Sequence, residues 1–369
     1  MSRGIRLAFV MGDCIPGGVR SYAFRYAREL SGLGYGVDLL CYEGAARGDR
    51  GFFRGLGGRL LEYPRPSRPL ACLGRLTRLF AEGRYDVAHG LLNTLNPVAM
   101  VAAERAGVPV RVAENLSTAH PSERKSGVKL ALKPFARVGA THIAANSVLA
   151  AEWLYGTSAS RCAIIKNPID LGRYAPDADE REAVRAELGI SGGFAVGWVG
   201  RYAPQKNPAF LPELAAALRE LEPSARVLMV GSGPLEGEVR ERIRELGVRD
   251  AVIETGSTED LPRLYRAMDA FALPSLYEGL PVVGIEAQAT GLPCLFSDEV
   301  TREAAVNPNV GFLPLDAPVS EWARTLLGMR GGLHPDQGLL ERAGYGAEAA
   351  ARKLDEFYRD ALERTGVVL

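Results

Sequence analysis

Short apolar runs alternate with helix-patterned stretches along this 369-residue chain, and the alternation runs through twice. In the first pass, residues 5–11, 37–42, 87–89, 108–113 and 142–145 read as strands, with helical patterns over 21–33 and 97–106. The second pass starts after Asn167-Pro168-Ile169-Asp170. Its strands are 194–199, 226–230, 252–254, 270–273 and 293–296, and helical patterns fill 208–221, 235–246, 260–268 and 281–290. Near-continuous apolar strands separated by helices are the mark of a parallel α/β sheet covered on both faces. The length is too great for one ordinary core and suits two. The expectation is two doubly wound domains, residues 1–170 and 171–339. Residues 340–369 form a last helix, read as one long element over 340–365.

Charge divides with the pattern. Residues 1–168 hold 23 Lys/Arg against 12 Asp/Glu, a net of +11, so the remainder of this neutral chain carries −11. Opposed halves suggest different partners. The basic stretches 65–78 and 124–137 interleave cations with apolar residues, and two readings stand: a face on an anionic membrane surface, or a solvated helix face. No window approaches 18 uninterrupted apolar residues, and the apolar run near the N-terminus reads as a first core strand. Five cysteines, at 14, 41, 72, 162 and 294, show no pairing or metal spacing, which favours a reducing, cytoplasmic compartment.

Polar residues at strand ends carry the functional signal, because ligands of open α/β sheets bind at the carboxyl ends of strands. Glu278 follows one strand, and Glu286 lies eight positions later inside an apolar helix beginning near Pro281. Gly279, Leu280 and Val282 offer backbone N–H groups at that helix start, and Pro281 has none. N–H groups beside two carboxylates suit a sugar joined to a phosphate. Gly200-Arg201 closes another strand, with Lys206 five residues on. Gly17-Gly18 ends the turn after the first strand, and Gly231-Ser232-Gly233-Pro234-Leu235 ends a third. His89 ends the strand near Asp86, and Glu114 closes the strand after Arg111. A lone histidine is more often structural, and for His89 both readings stand. The literal D-x-D, Asp177-Ala178-Asp179, sits in a polar linker, and no convincing metal set is present.

The ordered set, from Gly17-Gly18 through Asp86 to His89, Asn167 to Asp170, Gly200 to Lys206 and Gly231 to Leu235 to the pair Glu278 and Glu286, resembles the retaining glycosyltransferases of family 4. The group that builds exopolysaccharide and capsule is the most similar. The resemblance covers residues 5–330. It implies the GT-B fold, with two facing Rossmann-like domains, the acceptor on the first and the nucleotide sugar mainly on the second. It also implies that Arg201 and Lys206 grip the donor diphosphate without a metal or other cofactor. Glu278 would hold a sugar hydroxyl beside the anomeric carbon, and Glu286 the ribose hydroxyls. Gly17, Gly18, Gly279, Leu280 and Val282 would line the donor, and His89 and Glu114 the acceptor. Relatives often carry histidines where this chain has Glu114-Asn115-Leu116. His120 is near that position but out of register.

The expected activity is therefore metal-independent, retaining transfer from a nucleotide sugar, a UDP-sugar first, to a lipid-linked glycan at the inner membrane face. Rival readings are glycosylation of a soluble natural product, a nucleotide-sugar epimerase of similar fold, and a non-catalytic nucleotide-sugar-binding subunit. Nucleic acid is not an expected partner.

Overall fold

The computed structural model describes residues 4–15, 17–44, 49–118, 126–190, 192–258, 260–334 and 336–366. His120, Arg124 and Lys125 lie outside the described residues. The chain divides into two compact units, residues 1–169 with 344–369, and residues 170–343.

The first unit is a seven-stranded sheet of β1 (Arg6–Val10), β2 (Gly36–Tyr42), β3 (Leu60–Tyr63), β4 (Val87–Gly90), β5 (Val110–Asn115), β6 (His142–Ala145) and β7 (Ala163–Ile164). Their order is β3-β2-β1-β4-β5-β6-β7, with every pairing parallel. The apolar runs are buried on both faces. Leu7, Ala8, Phe9 and Val10 are all fully buried, alternating between two separate cores. On one side pack the Gly18–Gly32 helix and the Ala347–Arg364 helix, and on the other the Pro69–Gly83 and Asn96–Arg105 helices. Tyr22, Ala23, Tyr26, Ala27 and Leu30 form the buried stripe of the first of these, at the spacing of an amphipathic helix.

The second unit has six strands, β8 (Ala195–Val199), β9 (Arg226–Val230), β10 (Val252–Gly256), β11 (Ala270–Leu273), β12 (Cys294–Ser297) and β13 (Val310–Leu313), in the order β10-β9-β8-β11-β12-β13. These too are all parallel. In both sheets the order reverses once, between β1 and β4 and between β8 and β11. Those reversals are where loops diverge and leave room for a ligand.

In the basic stretch 65–78, the Pro69–Gly83 helix buries Cys72, Leu76, Leu79 and Phe80 in the core while Arg68 and Arg78 stay exposed, the arrangement of a helix with one solvated face. One expectation is corrected. The single terminal helix is two, Gln337–Arg342 and Ala347–Arg364. Gly344 has φ +84°, and the Tyr345 carbonyl accepts the Ile169 N–H at 2.7 Å while the Ile169 carbonyl accepts from Ala347 at 3.0 Å. The helical ladder cannot run through that point.

A buried carboxylate pins the amino ends of the first sheet. Asp38 on β2 is fully buried and accepts from Arg6 at 3.0 Å, the Arg59 guanidinium at 2.7 Å, the Arg59 N–H at 2.7 Å and the Tyr85 hydroxyl at 2.6 Å. These donors precede or open β1, β3 and β4. Both arginines are part-exposed and regain water if Asp38 is lost, so the cost is mainly that of the charge-assisted bonds. Asp38→Ala is expected to destabilise the protein by about 2–4 kcal/mol, read as a lower midpoint in urea unfolding.

Candidate functional site

The strand ends at the second sheet's reversal hold the residues singled out by sequence. Arg201 and Lys206 lie on the loop leaving β8, and Glu278 on the loop leaving β11, its neighbour in the sheet. The two loops are joined. The Leu276 N–H donates to the Gln205 carbonyl at 2.8 Å, and Gln205 Nε2 donates to the Tyr277 carbonyl at 3.1 Å and to Glu278 Oε2 at 3.3 Å. Lys206 Nζ forms an ion pair with Glu278 Oε1. Those two side chains are 16% and 7% exposed, so water screens the pair weakly. An ammonium has three N–H donors and a carboxylate about four lone-pair sites, so each keeps capacity for another partner. Arg201 is exposed and, among the described residues, enters no ion pair.

The glycine turn after β9 buttresses this arrangement. Gly231 has φ +139°, and a Cβ there would stand 1.9 Å from the Gly200 carbonyl oxygen. Only glycine allows the two strand ends to approach so closely. Tyr202 N–H donates to the Ser232 carbonyl, and Leu235 N–H to the Tyr202 carbonyl, each at 3.0 Å. The loop bearing Arg201 and Lys206 is therefore braced from both sides, by β9's turn and by β11's loop.

Glu278 and the start of the Val282–Ala289 helix are separated by Gly279, Leu280 and Pro281, all buried. The first-turn N–H groups, from Val282 onward, have no carbonyl one turn earlier within the helix. Glu286, in the second turn, is 3% exposed, with the Tyr265 hydroxyl donating at 3.4 Å to its Oε2 and at 3.0 Å to the Val283 carbonyl. Burial and the Glu286 carboxylate push the Tyr265 phenol well above its ordinary range, so it stays a proton donor. Ser297 Oγ ties the end of β12 to the Ser275 carbonyl at 2.6 Å.

In the first unit, Gly17 and Gly18 open the helix that follows β1, and His89 lies on β4 beside Phe9 of β1. His89 and Glu114 meet, but neither reaches the surface. Both side chains are fully buried, with His89 Nε2 2.7 Å from Glu114 Oε2. Tyr22 hydroxyl donates to the same oxygen at 2.6 Å, and His89 Nδ1 lies 2.5 Å from the Tyr358 hydroxyl. Direct contact with an acceptor, expected of both residues, would require this cluster to open. Asp177, of the D-x-D, caps the Ala178–Glu187 helix by accepting the Glu180 N–H at 2.9 Å. Among the described residues no group of three or more His, Cys, Asp or Glu could hold a metal ion.

Sequence reasoning missed Gln205, Tyr265, Tyr22 and Tyr358. Gln205 was visible as the polar residue flanking Lys206. Tyr22 was visible only as part of the helix's buried stripe, where nothing distinguishes a hydroxyl with a partner from a packing ring.

Two family models match the chain, one for the glycosyl transferase 4-like domain over residues 17–168 and one for glycosyl transferases group 1 over residues 180–324. The glycosyltransferase EpsF of Bacillus subtilis (strain 168) is 31% identical, the match covering 97% of each chain. A galactosyltransferase of Escherichia coli, named for transfer from UDP-Gal to α-D-GlcNAc-diphosphoundecaprenol, is 28% identical over 80% of this chain and 79% of its own. Among solved structures, the Anabaena protein HepE in complex with UDP-glucose superposes with a TM-score of 0.77 at 20% identity, covering 99% of this chain and 100% of that one. Sucrose-phosphate synthase from Thermosynechococcus elongatus also reaches 0.77, at 18% identity, covering 98% of this chain and 100% of its own. These structures share the GT-B fold of two Rossmann-like units. With β8 and β11 carrying the joined loops and the full-length relative above 30% identity, the chain belongs to the family 4-like, group 1 glycosyltransferases.

Proposed function

We propose that this glycosyltransferase moves a sugar from a UDP-sugar to a lipid-linked glycan acceptor, without a metal and with retention at the anomeric carbon, in surface polysaccharide assembly. The observation that carries the reading is the Lys206–Glu278 pair at the β8/β11 reversal, with exposed Arg201 on the same loop. The chemistry needs charge stabilisation where the leaving diphosphate gains it, held in place beforehand. Arg201 and Lys206 supply two cations on a loop braced from both sides. Glu278, next to Lys206, can accept a donor-sugar hydroxyl while the ammonium meets the phosphate. N–H groups of Gly279, Leu280 and Val282 add donor contacts, and Gly17 and Gly18 are carried over from the family resemblance as donor-binding residues of the first unit. Glu286 takes the ribose hydroxyls. The donor phosphate itself accepts the acceptor's proton on the same face, which yields retention with no side-chain nucleophile.

The acceptor reading draws on the relative named for transfer to α-D-GlcNAc-diphosphoundecaprenol. It also draws on a surface of the first unit. Val128, Leu130, Phe135 and Val138 are 46–62% exposed and interleave with Lys129, Lys133 and Arg137. Cations among exposed apolar side chains suit an anionic membrane surface and support the reading of a peripheral protein at the cytoplasmic face. Among the described residues no helix is long and apolar enough to cross a membrane.

Donor turnover in excess EDTA tests the mechanism. Wild-type activity is expected to persist, and Arg201→Ala and Lys206→Ala each to lower kcat by about 10²–10³-fold. Loss of wild-type turnover in EDTA, restored by Mg²⁺ or Mn²⁺, would refute it. Glu278→Gln should be similarly damaging yet still bind UDP, whereas Glu286→Ala should chiefly raise the donor KM. Product NMR should show an α-linkage from an α-linked donor, and an inverted product would sink the retaining reading.

Membrane docking has its own measurement. Binding to liposomes should require anionic headgroups, weaken with salt, and fall further on Lys129→Glu with Lys133→Glu. Equal binding to neutral and anionic liposomes would favour a soluble acceptor.

A further inference from the structure

We propose that Glu114 is a positioning residue: through Tyr22 it fixes the Gly17–Gly18 turn, and through His89 it refers that turn to the seat of the Ala347–Arg364 helix. The inference rests on the functional reading above only for its kinetic readout.

Three elements meet at one carboxylate oxygen, and a fourth joins them through His89. Glu114 Oε2, on β5, receives the Tyr22 hydroxyl from the Gly18–Gly32 helix at 2.6 Å and lies 2.7 Å from His89 Nε2 on β4. His89 Nδ1 in turn lies 2.5 Å from the Tyr358 hydroxyl on the Ala347–Arg364 helix. The other oxygen, Oε1, is buried and has no hydrogen-bond partner among the described residues. A carboxylate out of water is costly unless its charge is met, so the Tyr22 hydrogen bond to Oε2 is strong, and His89 Nε2 stands close by without a hydrogen bond of good geometry. Burial and the Glu114 carboxylate push the Tyr22 phenol well above its ordinary range, which keeps it a donor.

The consequence for the glycine turn follows from distance along the helix. Tyr22 is four residues after Gly18, about one turn. The Gly17 carbonyl accepts the Ser21 N–H at 3.0 Å, so the turn is continuous with the helix. Gly17 has φ +153°, and a Cβ on Gly17 or on Gly18 would meet nothing within 4 Å. Packing therefore does not orient these two residues. Their direction comes from the helix, and the helix's first turn is held by Tyr22 on Glu114 and by Arg20 on Asp49 at 2.5 Å. With Arg20 still engaged, removing the Tyr22 hydroxyl loosens the first turn without dissolving the helix.

Tyr26 supplies a matched control. It is also fully buried on the same helix, and its hydroxyl donates to the Lys166 carbonyl at 2.7 Å, away from Glu114 Oε2. Tyr22→Phe and Tyr26→Phe each delete one hydroxyl bond. Two readouts are compared in full-length protein: nucleotide-sugar turnover, and amide hydrogen exchange over residues 17–21. Tyr22→Phe should lower kcat by about tenfold with little change in donor KM, and speed exchange at 17–21. Tyr26→Phe should leave kcat within about twofold and exchange there unaltered. Glu114→Gln, which keeps an oxygen for Tyr22, should stay closer to wild type than Glu114→Leu. Tyr358→Phe should show a smaller form of the Tyr22→Phe effect. Equal effects of the two tyrosine variants on both readouts would overturn the proposal. If the wild type turns over no nucleotide sugar, the functional reading fails, and the exchange comparison still decides this inference.

Discussion

The ion pair between Lys206 and Glu278 is the interaction on which the candidate site depends. It closes a loop leaving β8 onto a loop leaving β11, and Gln205 repeats the closure with three further hydrogen bonds. The pair adds charge to a closure that these hydrogen bonds make at the carboxyl ends of two central strands. Lys206 and Glu278 are thereby held at fixed positions, as the proposed stabilisation of a leaving diphosphate requires. Preorganisation of this kind is where electrostatic catalysis obtains most of its effect, because nothing has to rearrange as the bond breaks.

The parallel sheets explain why the site lies at these loops. Strands buried on both faces have no free face for a ligand, so recognition moves to their carboxyl ends, and most open at the reversal of strand order. The same reversal in the first unit, between β1 and β4, brings the Gly17–Gly18 turn and His89 to neighbouring strands. There the polar groups are turned inward. Glu114, His89, Tyr22 and Tyr358 form a buried string that joins structural elements, whereas Arg201 in the second unit stays open to solvent. The first unit's reversal thus joins structural elements, and the second unit's leaves a cation exposed.

Much of this was legible in sequence for one physical reason. A strand covered on both faces must be apolar throughout, so β1, β2, β8, β9 and β11 stand out as runs. β7 has only two residues, and β13 is half-buried along its length, so neither leaves that trace. The Pro69–Gly83 helix was obscured by arginines that coat its outer side while Leu76, Leu79 and Phe80 enter the core. Arg201, Lys206, Glu278 and Glu286 were readable as charged residues at strand ends or in an apolar helix. That Lys206 and Glu278 touch was not, because 72 residues separate them and only the sheet order makes them neighbours. The burial of His89 and Glu114 was hidden likewise. A polar residue at a strand end looks the same in sequence whether a ligand or a tyrosine from a distant helix covers it.

The Ile169–Gly346 bridge has a consequence for how the protein is made. The first unit's core includes Leu354, Tyr358, Ala361 and Leu362, which leave the ribosome only after all of residues 170–343. The second unit is one uninterrupted stretch and can complete its core during synthesis. The first must wait with one flank of its sheet uncovered, so the unit that begins translation first is the last to finish folding.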